Sequence, residues 1–101
     1  MGIAWSVYGD FSGFHIFTNA DHAPVTADDI QSGKVHWTKL KGATRAELVY
    51  KIRAGLLLGG VDICVWPGGW TSAVLAPDDI DKTVSAFEQL LRMLEDEGEL
   101  P

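Results

Sequence analysis

The chain has 101 residues, of which 47% are apolar, and its formal net charge is −6. This length predicts a single domain, residues 1–101, with enough apolar side chains for one core. The acidic balance argues against nucleic acid or an anionic membrane as a partner, and no apolar run approaches the roughly 18 residues of a membrane span. A single cysteine, Cys64, permits no internal disulfide and favours a reducing, cytoplasmic location.

Two strands are predicted at the N-terminus, because residues 3–9 and 12–18 are rich in β-branched and aromatic side chains. Glycines at the joints allow either a hairpin or one strand broken by a bulge. In the second strand Phe14 and Ile16 share one face, and His15 and Phe17 share the other. His15 is therefore interpreted as a partly buried strand residue, and a catalytic or ligand role is the alternative.

Residues 19–42 form the least regular part of the chain, with a single helical turn predicted at 27–31 behind a Thr26 cap. A loop of this length in a small domain is often a lid or a segment that lies on a partner. Asp21, His22 and His36 are potential metal ligands. Their spacing does not predict a zinc site, which needs three or four converging ligands, so we expect no metal.

Two longer helices are predicted at residues 44–58 and 77–97. Thr44 and Glu47 have the spacing of a capping box, and two glycines after residue 58 end the first helix. Pro77 suits the first position of the second helix. The apolar stripe of the second helix is predicted to comprise Ile80, Val84, Phe87, Leu90, Leu91 and Leu94. Basic residues of the first helix are interpreted as a solvated face.

Between the helices lie two short apolar runs, 61–66 and 70–75, separated by Pro67-Gly68-Gly69. This pattern predicts a strand, a tight loop and a second strand. Glycines beside two tryptophans can form a shallow binding lip, whereas a plain hairpin turn is the alternative. The candidate ligand or partner surface consists of His15, Trp66, Gly68, Gly69, Trp70 and Ser72.

The ordered segments VYGDFSGFHIFTN, GLLLGGVDI, WPGGWTSAVL and PDDIDKTVSAFEQLL resemble the C-terminal small domain of class III pyridoxal-phosphate-dependent aminotransferases. The glutamate-1-semialdehyde aminomutase-like members are the most similar. The resemblance covers residues 4–97 and is weak over 21–42. The fold we expect is an α+β two-layer sandwich, with a three- or four-stranded, mostly antiparallel sheet packed against helices 44–58 and 77–97.

The resemblance also implies what this chain does not do alone. In those enzymes a large upstream domain carries the Schiff-base lysine, the aspartate at the ring nitrogen and the phosphate-binding loop. No lysine of this chain lies in a recognisable cofactor context, so we expect no catalytic residue and no bound pyridoxal phosphate. The family's acidic loop residue and its His-Thr pair are replaced here by Pro67-Gly68-Gly69 and Leu75-Ala76, whereas Ser72 keeps its position.

Two functional hypotheses follow from the sequence. The chain is either a small domain of such an enzyme, inactive without its large domain, or a free-standing binding or assembly module that kept the fold. A start at the domain edge fits both a separately encoded domain and a piece of a longer chain. Two helices on one sheet face cannot bury all four tryptophans, so we expect a separately encoded large domain or a two-fold homodimer as partner.

Overall fold

The computed structural model describes residues 3–9, 12–19, 23–41, 45–64 and 66–100, with only the backbone described at residue 41. The described residues form three strands and four helices. In chain order these are β1 Ser6–Tyr8, β2 Gly13–Phe17, α1 Ala27–Gln31, α2 Trp37–Lys41, α3 Ala46–Leu58, β3 Gly68–Trp70 and α4 Pro77–Asp96. The strands make one antiparallel sheet in the order β1-β2-β3, which confirms the α+β class and the three-stranded option.

The N-terminal hairpin has the predicted side-chain alternation. β1 pairs with β2 so that Tyr8 lies opposite His15 and Val7 lies opposite Ile16. Ile16 is buried in the core and Phe14 packs against it, whereas His15 points to the other face of the sheet. The sheet therefore has one face on the helices and one face that carries aromatic side chains.

The core lies between the sheet and the helix pair α3 and α4. Its buried members are Ile16, Leu48, Ile52, Leu56, Ile63, Ala86, Leu90 and Leu94. Gly55 of α3 and Gly59 directly after it let the helices approach closely, since an added Cβ at Gly55 would overlap Leu90 and one at Gly59 would overlap Ala86. This close approach leaves Leu90 only 1% exposed.

Local hydrogen bonds organise the segment between β2 and α3. Asn19 adopts a left-handed conformation, which asparagine tolerates, and its side chain bonds to both the backbone N–H and the carbonyl of Ala23. The predicted turn is confirmed as α1, where Thr26 and Asp29 form a capping box. The helix α2 was not predicted; the ring Nδ1 of His36 accepts from the Thr38 N–H at 3.3 Å at its start.

The predicted hairpin around Pro67-Gly68-Gly69 is wrong. Residues 61–64 form no strand, apart from one bridge between Cys64 and Gly68, and Val65 lies outside the described residues. The third strand begins at Gly68 and ends at Trp70, so the predicted strand 70–75 is also wrong. Glycine has a low intrinsic propensity for strands. Here backbone pairing with β2 nevertheless makes Gly68–Trp70 a strand, and the Pro67 carbonyl before it accepts from the Ile16 N–H at 3.0 Å.

Both long helices are confirmed, with corrections at their ends. Helix α3 starts at Ala46, and its N-cap Arg45 makes no side-chain cap bond; Thr44, the predicted cap, lies outside the described residues. Glu47 is thus the second helical residue and does not complete the predicted capping box. Helix α4 starts at Pro77 as predicted and ends at Asp96.

The acidic end of the chain is attached to α3, whereas its composition predicts fraying. Gly98 has a φ of 74°, and the Glu99 N–H donates to the Leu94 carbonyl at 2.9 Å, which turns the chain back after α4. Lys51 and Arg45 bond to the Glu99 carboxylate, and Leu100 packs against the core.

Candidate functional site

Four aromatic rings form a continuous row that runs from the sheet face opposite the core to the edge strand β3. His15 stacks on Tyr8 with ring centroids 5.1 Å apart and contacts Trp66 at 4.6 Å. Trp66 meets Trp70 nearly at a right angle, with centroids 6.1 Å apart. The cross-strand pairs Tyr8–His15 and His15–Gly68 put these side chains on the same face. We call Tyr8, His15, Trp66 and Trp70 the aromatic row.

The glycines of β3 allow the aromatic row to form. A Cβ at Gly68 would overlap both the Phe14 carbonyl and the Trp66 ring, so Trp66 packs directly on the glycine backbone. A Cβ at Gly69 would lie 2.9 Å from the edge of the Phe14 ring. Both glycines are buried in β3. Gly68 supplies the surface on which Trp66 packs, and Gly69 leaves room for the Phe14 ring.

A cavity of about 580 Å³ opens beside the two tryptophans, and we call it the tryptophan cavity. It is lined by Arg53, Asp62, Ile63, Cys64, Trp66, Gly69 and Trp70. Arg53 comes from α3, and its Nε donates to the Asp62 carboxylate at 3.1 Å. The walls therefore combine two perpendicular indoles with one ion pair.

A second concavity, of about 470 Å³, lies between the start of α4 and the segments around residues 61 and 70. Its apolar lining is Phe14, Val61, Ile63, Trp70, Leu75, Ile80 and Val84, and its polar lining includes Asp79, Lys82 and Thr83. We call it the α4 groove. It shares Trp70 and Asp62 with the tryptophan cavity, so the two concavities are adjacent.

The first half of α4 does not pack as its sequence predicts. Ile80 and Val84 belong to the predicted core stripe, yet they are 48% and 61% exposed. The buried residues of α4 are Ala86, Leu90 and Leu94, the first of which is the tenth residue of the helix. The 20 residues of α4 span about 30 Å, and the 13 of α3 about 20 Å, so the first turns of α4 extend past α3.

Five of the six predicted site residues come together in the structure. Trp66, Gly68, Gly69 and Trp70 surround the turn into β3, and His15 pairs with Gly68. His15 is exposed, so its predicted partial burial is wrong; the helices cover the opposite sheet face. Ser72 is exposed beyond the end of β3, where its carbonyl accepts from the Leu75 N–H, and it lines neither concavity.

The sequence interpretation did not find the polar part of the site. Arg53 was assigned to a solvated face, and Asp62 to a strand. Their ion pair forms because α3 ends at Leu58 and the chain reverses at Gly60, where the Val61 N–H donates to the Leu56 carbonyl. The sequence did contain a signal for this ion pair: an acidic residue shortly after the glycines that end a helix, with an arginine in that helix.

Three of the described lysines lack the buried surroundings that Schiff-base chemistry needs. Lys34, Lys51 and Lys82 are exposed, and the hydrogen bonds that Lys51 donates to Glu99 and Glu97 raise its pKa, whereas Schiff-base chemistry needs a lowered pKa. Burial raises the pKa of the Tyr8 hydroxyl in the aromatic row. Among the described residues, no group of three His, Cys, Asp or Glu side chains could hold a metal ion.

No helix in the described part of the chain is both long and apolar enough to cross a membrane. No protein-family model, curated protein or solved structure matches the chain. The resemblance to the class III aminotransferases therefore stays a prediction drawn from the sequence.

Proposed function

We propose that this chain is the small C-terminal domain of a class III aminotransferase-like or aminomutase-like enzyme, and that it docks against a large, cofactor-binding domain through the α4 groove. The observation that carries this proposal is the groove itself. Ile80 and Val84 continue the apolar stripe of α4 beyond the end of the core, so the helix has an apolar face that the described residues leave partly uncovered.

The role of such a domain is to complete the substrate entrance, not to supply the chemistry. The three described lysines named above are exposed, so they do not fit the carbonyl chemistry of pyridoxal phosphate, and we derive no catalytic step from them. The aromatic row reaches the α4 groove through Trp70, which lines it. Docking in the groove would therefore place Trp66 and Trp70 at the edge of the joint active site.

A second candidate function is a free-standing assembly module, in which another copy of the chain covers the α4 groove. The observation that favours it is the amount of aromatic surface left in water: Trp37, Trp66 and Trp70 are all exposed. Closed two-fold pairs are the commonest way in which soluble proteins cover such a surface.

A domain exchange tests the docking proposal. The small domain of a class III aminotransferase is replaced by residues 3–100 of this chain, and the enzyme lacking any small domain serves as the baseline. We expect the chimera to turn over substrate well above this baseline. Val84→Asp puts a charge into the α4 groove, which costs several kcal/mol if the site is buried by docking, so turnover should fall at least about tenfold.

Ser85→Asp is the matched control, because it adds the same charge at the next residue of α4, which does not line the groove. It should leave turnover of the chimera unchanged. A chimera that binds the cofactor but stays at the baseline, or one in which Val84→Asp and Ser85→Asp behave alike, would overturn the proposed docking surface.

A further inference from the structure

The tryptophan cavity has the chemistry of a binding site for a small charged molecule. We propose that it binds a zwitterion that carries a quaternary ammonium group and a carboxylate, with the ammonium against Trp66 and Trp70 and the carboxylate on Arg53. The binding needs no docked partner. Because Trp70 lines both concavities, the bound zwitterion would lie at the edge of any partner that docks in the α4 groove.

The cation subsite is formed by the two indoles. Trp66 and Trp70 both line the cavity, their planes meet at 79°, and their centroids are 6.1 Å apart. A cation is attracted to an indole face when it lies within about 6 Å of the ring centroid, and tryptophan is the strongest aromatic partner. One trimethylammonium group can satisfy this distance for both rings. Since such a group has no N–H, it needs aromatic faces and not hydrogen-bond acceptors.

The position of the indoles is fixed by their packing. Trp66 contacts the Gly68 backbone through one edge of its six-membered ring, and it also contacts the ring of His15. Trp70 lies over Gly13, where an added Cβ would be 3.0 Å from its ring. Although Trp70 is 71% exposed, its partner strand therefore constrains it, and the corner between the rings exists before a ligand arrives.

The anion subsite is the guanidinium group of Arg53. Its bond to Asp62 uses Nε and one carboxylate oxygen at 3.1 Å. Within the described part of the chain, the terminal nitrogens of Arg53 donate no further hydrogen bond, so they are available for a ligand carboxylate. The Asp62 carboxylate balances the arginine charge, so the cavity as a whole does not repel the ammonium end of the ligand.

The cavity has room for a ligand of this class. A small zwitterion would fill only part of its volume of about 580 Å³, at the corner between the two indoles. The cavity is open to solvent on one side, and a cation–π contact at an exposed site contributes little to binding. We therefore expect weak binding, with a Kd in the millimolar range.

Titration of the isolated chain with glycine betaine tests the proposal. Tryptophan fluorescence gives the Kd, and the indole N–H signals in a ¹H–¹⁵N correlation spectrum show which rings respond. We expect saturable binding with shifts at Trp66 and Trp70. Two ligand analogues separate the subsites: 3,3-dimethylbutanoate has the same shape without the positive charge, and choline lacks the carboxylate. Each should bind at least about fivefold more weakly.

Matched variants locate the site. Trp70→Leu and Arg53→Gln should each raise the Kd for glycine betaine at least about fivefold. Trp37→Phe is the control, because Trp37 is equally exposed on α2 but does not line the cavity. Arg53→Gln removes a charge without removing core packing, so it remains informative if Trp70→Leu does not fold.

No saturable binding, or equal Kd values for glycine betaine and 3,3-dimethylbutanoate, would overturn the proposal, because the charge would then be irrelevant. Shifts confined to Trp37 or Trp5 would overturn the location. Binding of choline as tight as that of glycine betaine would refute the anion subsite at Arg53.

Discussion

Residues 97–100 are held in place by Lys51 of α3 and by Arg45, the residue before α3. The Glu99 carboxylate accepts from Arg45 at 2.6 Å and from Lys51 at 2.8 Å, and Lys51 also donates to Glu97 at 2.9 Å. These bonds form because Gly98 turns the backbone after α4 and returns Glu99 to the helix pair. The neighbouring Leu100 is thereby kept against the core.

These contacts predict a pH dependence of stability. Hydrogen bonds from Lys51, and then from Arg45, hold the pKa of the Glu99 carboxyl below its ordinary value. The folded chain thus releases this proton more readily than the unfolded chain. The stabilisation is complete above the unfolded pKa, about 4.3, and is lost as the pH falls through the folded pKa.

Thermal unfolding between neutral and acidic pH measures this effect in the variant Glu99→Gln. The variant should melt below the wild type at neutral pH, the difference should vanish in acid, and added salt should reduce it. Glu95→Gln, on the exposed side of α4, should melt as the wild type does. A constant difference between Glu99→Gln and the wild type at every pH would show that charge is not the cause.

At the scale of elements, the pair α3 and α4 supplies most of the core. Leu90 is fully buried where Gly55 lets the helices approach, whereas Leu58 at the end of α3 is 81% exposed. Leu90→Ala should lower the free energy of unfolding by about 2–5 kcal/mol, because it removes buried methyl groups and leaves a cavity. Leu58→Ala is the same chemical change at the surface and should cost less than about 0.5 kcal/mol.

Urea unfolding at equilibrium measures both variants. Similar losses in Leu90→Ala and Leu58→Ala would contradict the described position of the core. An intact Leu90→Ala variant with the stability of the wild type would do so as well.

The helices were predictable from the sequence because their information is local. The four-residue spacing of Leu48, Ile52 and Leu56 and the glycines after them mark α3 within two residues. The Thr26 cap marks α1 in the same way. Helix α2 was missed because it has no apolar repeat, and its start depends on a histidine ring that is not a common cap.

The third strand was not predictable, because its cause is not local. Gly68 and Gly69 have a low strand propensity, and they form β3 because they pair with β2. The absence of a side chain at Gly68 also allows the Trp66 ring to pack on its backbone. The tryptophans and glycines of the site were nevertheless found, since their clustering is visible in the sequence. The contribution of Arg53 and Asp62 depends on how α3 ends, which the clustering does not reveal.

At the scale of the whole molecule, the apolar surface of this chain is not fully covered. The helical stripe of α4 continues past the core at Ile80 and Val84, and Trp70 and Leu75 adjoin it in the α4 groove. A contiguous apolar surface of this kind is typical of an interface. We therefore expect the groove to be covered in any functional state, by a large domain or, when none is present, by a second copy of the chain.

Sedimentation equilibrium of the isolated chain at tens of micromolar tests this expectation most directly. The wild type should show a weight-average mass rising from 11.0 kDa towards twice that value with concentration. Val84→Asp should remain at the mass of one chain, and Ser85→Asp should associate as the wild type does. A wild-type mass of 11.0 kDa across the whole range would contradict the claim that the α4 groove is a surface to be covered.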